Sequence, residues 1–164
     1  MASYYLDTSA LVKCYALEAG TTWMNALREP DAGHTLYTVR LTGPELIAAL
    51  SRKARTGEVT SADAGRAGQA VRRDWPGRYV VVAVSEPIAE QAMDLAERHG
   101  LRGYDAVHLA TALAVVVRQR RAGAPILAFV SADAAQRRAA EAEGMVGVDP
   151  SVASSTPSLV DPGT

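Results

Sequence analysis

The chain has 164 residues, 48% hydrophobic and 21% charged, with a formal net charge of −1. That is enough for one domain with a real core and ordinary for a soluble globular protein, and it excludes binding to nucleic acid through a global basic field. The longest apolar stretch, Ala106 to Val117, is too short to cross a membrane, and the single Cys14 excludes an intrachain disulfide.

MASYYLDT lacks the charged start and apolar run of a signal peptide. With one free thiol, the expected compartment is the reducing cytoplasm. In chain order, Tyr4–Asp7 reads as a first strand and Thr8–Leu17 as a turn and short helix. Gly20–Glu29 has helical spacing in Trp23, Met24 and Leu27. His34–Val39, β-branched and aromatic, reads as a second strand. Leu41–Arg55 is a predicted helix stopped by Gly57, and Thr60–Trp75 another, with Pro76-Gly77 as its stop.

Arg78–Val84 is a nearly continuous apolar run, as expected of a strand covered on both faces. Glu86–His99 is amphipathic and capped by Gly100. Tyr104–Arg121 is apolar nearly all round as far as Val117, which predicts a buried central helix. Ile126–Val130 follows as a strand, Asp133–Glu143 as a helix and Val146–Val148 as a last strand. Strands alternating with helices predict an α/β fold: one three-layer domain over 1–149, with a central, mainly parallel sheet flanked by helices. Residues 150–164 are Ser/Pro-rich and are expected to be disordered.

Four acids stand where polar junctions meet apolar stretches. Asp7 ends the first strand, Glu45 opens PELIAALSRKA, Asp105 opens YDAVHLATALAVVV, and Asp133 follows ILAFVSA. Each has a structural explanation. Asp is a favoured N-cap, and Thr42-Gly43-Pro44-Glu45 matches a capping box. Two features favour a site: two of the acids follow strands directly, and the other two open the most apolar helices. In a parallel α/β sheet such junctions gather at one edge, where ligands bind. Two carboxylates about 4 Å apart repel by roughly 4 kcal/mol at an effective dielectric of 20. A pocket of four therefore calls for a divalent cation, and oxygen donors without Cys suit Mg²⁺, with Mn²⁺ as a substitute.

Ser9 and Ser131, each two residues from an acid, are placed to orient Asp7 and Asp133 by hydrogen bonds, or else to bond their own turns. Thr8 is similarly placed. His108 shares a helix face with Asp105, and in so apolar a helix a buried, satisfied histidine is the plainer reading than a general acid or base. His34 and His99 have no constellation around them. Of the seventeen basic residues only Lys13 and Lys53 are lysine. The arginines cluster, as in Arg52-Lys53-Ala54-Arg55, Arg72-Arg73, Arg118-Gln119-Arg120-Arg121 and Arg137-Arg138. Such forks suit phosphate; they equally form solvated helix faces.

These segments resemble PIN-domain proteins, and especially the VapC-type toxins of toxin–antitoxin pairs. YYLDTSALVKCYALEAG is similar to the family's opening, with a lysine like Lys13. LRGYDAVHLATAL resembles its third-acid segment, FVSADAAQRRAAEAEGM its fourth, and PELIAALSRK supplies the second acid. The resemblance covers roughly residues 3 to 149. It implies a PIN fold and a Mg²⁺- or Mn²⁺-dependent endoribonuclease. Asp7 and Asp105 would be the direct ligands, with Glu45 and Asp133 acting through water or positioning the nucleophile. It also implies an RNA substrate, a cognate antitoxin as partner, and a homodimer.

Two departures stand out. Pro44 directly precedes Glu45, which bears on where that carboxylate points. The stretch between the third and fourth acids is long and basic, and offers Arg118, Arg120 and Arg121 either to RNA or to solvent. The alternatives are a non-catalytic PIN-like interaction module and a PIN nuclease acting outside a toxin pair. A phosphatase with a nucleophilic Asp at its first strand needs a second Asp two residues on, where this chain has Ser9.

Overall fold

The computed structural model describes residues 2–124 and 126–153. Five strands, β1 (Ser3–Leu6), β2 (Thr35–Val39), β3 (Val80–Val82), β4 (Leu127–Val130) and β5 (Val146–Val148), form one sheet in the order β3-β2-β1-β4-β5. All four pairings are parallel. The first strand is thus central: the chain builds outward on one side through β2 and β3, then returns to the other side for β4 and β5. The strand order reverses between β1 and β4, and such a switch point opens a crevice at the C-terminal ends of its strands.

Two helical layers cover the sheet, and the alternation of side chains along each strand assigns them. Tyr4 and Leu6 of β1, with Ala128 and Val130 of β4, pack on one face against α1 (Thr8–Leu11), α2 (Thr21–Arg28), α3 (Thr42–Arg55) and α4 (Ser61–Arg78). Tyr5, Leu127 and Phe129 point the other way into a core with α5 (Glu86–His99), α6 (Gly103–Arg121) and α7 (Ala134–Ala142). The strand residues of β1 and β4 are all buried. Fully burying such side chains stabilises by about 1.5–3 kcal/mol each. The predicted three-layer α/β/α architecture is the observed one, and α6 is buried or half-buried from Asp105 to Val116 and exposed over most of its last turn.

Three local expectations are corrected. The α4 helix does not stop before Pro76 but runs to Arg78. A proline in the last turn forfeits a single N–H, its fixed φ suits a helix, and Trp75 packs on Tyr79 with ring centroids 5.9 Å apart. The run after it gives only the three-residue β3, which lies at the sheet edge with Val80 48% exposed. A continuous apolar run does not distinguish a central strand from an edge one. The capping box at Thr42 does not form: Leu41 is the N-cap of α3, and the Thr42 hydroxyl bonds that of Thr38 at 2.8 Å.

Past residue 149, Pro150 is buried and Ala153 lies against the first core, with Ser151 and Val152 exposed between them. Arg137 holds Asp149 by an ion pair of 2.9 Å. Gly20, at φ 94°, backs onto the Pro150 carbonyl so closely that a Cβ there would sit 2.4 Å from its oxygen. Of the tail expected to be disordered, 150–164, residues 150–153 are described and 154–164 lie outside the described residues. Among the described residues no helix is long and apolar enough to cross a membrane.

Candidate active site

The C-terminal edge of the sheet at the β1/β4 switch point opens into a cleft of about 410 Å³ lined by Asp7, Glu45, Asp105 and Asp133. Acids separated by up to 126 positions in sequence thus share one cavity. A concavity of similar size, about 420 Å³ and bordered by Arg28, Arg73, Asp74 and Arg78, gathers none of these four acids.

Asp7 is the most enclosed of the four, only 1% exposed. It follows β1 and caps α1, accepting the Ala10 N–H at 2.8 Å. The Ser9 hydroxyl donates toward both of its oxygens at 2.9 Å, and the Ser131 hydroxyl donates to Oδ2 at 2.8 Å. Both serines are held in turn. Ser9 Oγ accepts the Ala132 N–H at 2.8 Å, and Ser131 Oγ accepts the Asp133 N–H at 3.0 Å. Burial pushes the Asp7 carboxyl above its ordinary pKa; the His108 charge, the Ala10 amide and the two hydroxyls oppose that rise without cancelling it.

Glu45 sits in the first turn of α3 but caps nothing there. Its Oε2 accepts from the Thr8 hydroxyl and lies 2.9 Å from His108 Nε2. Burial raises its pKa, yet the His108 and Thr8 hydrogen bonds outweigh burial and hold it below the usual glutamate value. His108, 2% exposed, is fixed at its other nitrogen by the Tyr5 hydroxyl at 3.1 Å. The network assigns the Nε2 proton toward Glu45. His108 is therefore the satisfied, orienting histidine. Pro44 does not turn Glu45 away, because the first turn of a helix needs no N–H at that position.

Asp105 lies in the first turn of α6, whose N-cap is Arg102. Its Oδ1 accepts from the Gln136 amide at 2.7 Å. Burial raises its pKa first and the neighbouring Asp133 charge second. Asp133 caps α7, accepting the Ala135 N–H at 2.7 Å and the Gln136 N–H at 3.3 Å through Oδ1. Capping thus accounts for Asp7 and Asp133 but not for Glu45 or Asp105, and all four face one cleft.

The donors are hard oxygens under electrostatic pressure, and they suit a hard divalent cation. Among the described residues no group of three His, Cys, Asp or Glu side chains is placed so as to hold a metal ion by itself. Mg²⁺ requires none, since it commonly takes one or two carboxylates and completes its shell with water and phosphate oxygens.

Among the lining residues, Gln136 and Arg102 escaped the sequence reading. Gln136 reaches Asp105 from another helix, and nothing in its neighbourhood signals that. The cleft is also lined by four basic residues, Lys13, Arg52, Lys53 and Arg102. Arg118, Arg120 and Arg121 are placed elsewhere. They lie in the last turn of α6, about 20 Å along the helix from Asp105, and none lines the cleft.

A PIN domain family model matches residues 4–142. "Ribonuclease VapC45" of Mycobacterium tuberculosis is 38% identical over 114 residues, which cover 68% of this chain and 75% of that protein. The structure of Mycobacterium tuberculosis VapC20, described as a sarcin-ricin loop cleaving toxin, superposes with a TM-score of 0.58 at 19% identity, over 87% of this chain and 96% of the other. A chain of a toxin–antitoxin complex from Klebsiella pneumoniae gives 0.51 at 18% identity, over 81% and 87%. At such identities the two structures establish the fold alone.

Proposed function

The chain belongs to the PIN domain family as an endoribonuclease of the VapC toxin type, and we propose that it cuts RNA phosphodiesters with a divalent cation held by Asp7 and Asp105. Glu45 and Asp133 complete the acidic cleft. Mg²⁺ is the expected ion, with Mn²⁺ able to replace it. The single observation that supports this most is the convergence of four acids, from four separate segments, on one cleft at the switch point.

When bound, the cation supplies charge neutralisation at the phosphodiester and a more acidic water. The chain's own residues prepare the rest. Ser9, Ser131 and the Ala10 amide fix the Asp7 carboxylate in one orientation, and Gln136 does the same for one oxygen of Asp105. Glu45, kept ionised by Thr8 and His108, presents an acceptor that can orient an attacking water. His108 stays locked between Tyr5 and Glu45 and holds its proton at Nε2.

Solved complexes of the same fold with an antitoxin support a cognate antitoxin as the protein partner, and the family pattern supports a homodimer. The reading is tested by incubating total cellular RNA with the chain and Mg²⁺ or Mn²⁺, beside Asp7→Asn, Asp105→Asn and an EDTA control. Discrete products are expected from the unaltered chain. Each substitution should lower cleavage by at least about a hundredfold, since the cation contributes several kcal/mol to the transition state. Cleavage that survives both EDTA and either substitution would remove the metal-centred reading.

A further inference from the structure

RNA is a polyanion, and the six acids lining the cleft, Asp7, Glu18, Glu45, Glu58, Asp105 and Asp133, repel it wherever cations do not offset them. Lys13, Arg52 and Lys53 line the same cleft, the last two about two turns along α3 from Glu45, and these charges are arranged unusually. Lys13 is 4% exposed and pairs with Glu18 at 3.0 Å. The other Glu18 oxygen stands 3.5 Å from Lys53 Nζ, which pairs with Glu58 at 2.9 Å. Lys13, Glu18, Lys53 and Glu58 thus form an alternating ladder along one wall. Arg52, exposed beside it, makes no side-chain hydrogen bond or ion pair among the described residues.

The backbone explains why Glu58 stands there. After α3 the chain turns back at Gly57, φ 78°. The Gly57 N–H bonds the Ala54 carbonyl at 3.2 Å, and the Glu58 N–H bonds the Lys53 carbonyl at 2.9 Å. This is the Schellman arrangement, which glycine permits by adopting the left-handed region. It sets Glu58 over Lys53, at the place where an apolar contact usually closes such a helix end. The Thr56 hydroxyl steadies the carboxylate at 2.8 Å. Glu58 is nevertheless 55% exposed on its side chain, and so is free to yield to a competing anion.

We propose that Arg52 and Lys53 form the subsite for a backbone phosphate of single-stranded RNA next to the one cut, and that Glu58 competes with that phosphate for Lys53. The inference rests on the ribonuclease reading above. Buried Lys13 keeps Glu18 neutralised, so the outer lysine can exchange partners without leaving Glu18 unpaired. Arg52 offers a planar fork suited to phosphate within the same cleft.

The test uses the Asp7→Asn chain in EDTA, so that nothing is cut. A short fluorescently labelled single-stranded RNA of mixed sequence is titrated by anisotropy over a salt series. Arg52→Ala and Lys53→Gln should each weaken binding about two- to fivefold, as for one exposed ion pair, and reduce the salt slope by about 1. Glu58→Gln should tighten binding by a similar factor. Arg66→Ala, on exposed α4 and paired with Asp63, should change neither quantity. Arg52, outside the ladder, keeps the test decisive if Lys53→Gln lowers the melting temperature.

An unchanged affinity and slope in Arg52→Ala and Lys53→Gln would overturn the subsite, as would a slope lost on Arg120→Ala instead. No tightening in Glu58→Gln would overturn the competition. If the folded Asp7→Asn chain binds no RNA and the unaltered chain cuts none, the ribonuclease reading falls as well. Cleavage that persists while Arg52 and Lys53 prove neutral sinks the subsite alone.

Discussion

Ser9 and Ser131 each donate to the Asp7 carboxylate while accepting an N–H from the segment that leads into α7. Their hydroxyls therefore tie the carboxylate after β1 to the loop after β4, across the switch point. Loss of one such partner leaves a buried acceptor and a backbone donor unsatisfied together. Ser131→Ala is expected to weaken Mn²⁺ binding about 10–100-fold, the usual effect of removing a group that orients a ligand, while Ser131→Thr, which keeps the hydroxyl, restores most of it. Calorimetric titration of Mn²⁺ into the three chains decides. Equal affinities would show that the serine serves only its own turn. Ser9 was legible in the sequence because it stands two residues from Asp7; Ser131 was expected to orient Asp133, but its hydroxyl reaches Asp7, 124 positions away, and it meets only the backbone N–H of Asp133. Gln136 was not legible, because its partner Asp105 lies 31 positions away on another helix. Glu45 was legible as an acid at a helix start, but the motif around it pointed to a cap that the fold does not make.

Asp133 is both a helix cap and a wall of the cleft, and the two roles separate by substitution. Asn caps nearly as well as Asp, whereas Ala leaves first-turn N–H groups of α7 unsatisfied. Asp133→Asn should therefore keep the melting temperature while lowering cleavage. Asp133→Ala should lower both, the stability by about 0.5–2 kcal/mol. A thermal melt beside the cleavage assay checks this, and equal destabilisation by Asn and Ala would refute the separation. On the same face, Glu143 at the end of α7 joins α5 through His99 and Arg98, each at 2.8 Å. Those partners, His99 first, hold its pKa below the ordinary glutamate value. A carboxylate whose folded pKa is depressed stabilises above its unfolded pKa and loses that contribution as pH falls through the folded one. Melting temperatures of Glu143→Gln and the unaltered chain should thus converge as pH drops below about 4, with the unaltered chain higher at neutral pH by well under about 1 kcal/mol after solvent screening. Melts that differ equally at every pH would place the effect elsewhere. Periodicity and caps made these helices legible. It failed at Pro76 and β3, because packing of Trp75 on Tyr79 and the position of a strand in its sheet are tertiary facts.

At the scale of the whole molecule, alternating strands and helices implied a parallel sheet, and the acids at strand ends implied one functional edge. The strand order was not readable, because parallel crossovers of similar length connect neighbours and non-neighbours alike. Yet that order makes β1 central and opens the crevice beside Asp7. Concentrating carboxylates there costs stability when no cation is present. The pKa of Asp105 is raised by burial and by the Asp133 charge. For such a group the folded state binds its proton more readily than the unfolded state does. The carboxyl is thus best tolerated below its folded pKa, and its ionised form works against folding at neutral pH. Cation binding reverses the sign, adding about 2.7 kcal/mol at a hundredfold excess over Kd, or about 5–10 °C in a domain of this size. At pH 7 in EDTA, Asp105→Asn is therefore expected to melt at or above the unaltered chain. With saturating Mn²⁺ the order should invert, the unaltered chain rising and the variant barely moving. Scanning fluorimetry of both chains under both conditions reads the crossing directly. A variant that melts lower in EDTA as well as in Mn²⁺ would mean that the Asp105 carboxylate supports the fold through Gln136 rather than waiting for a cation.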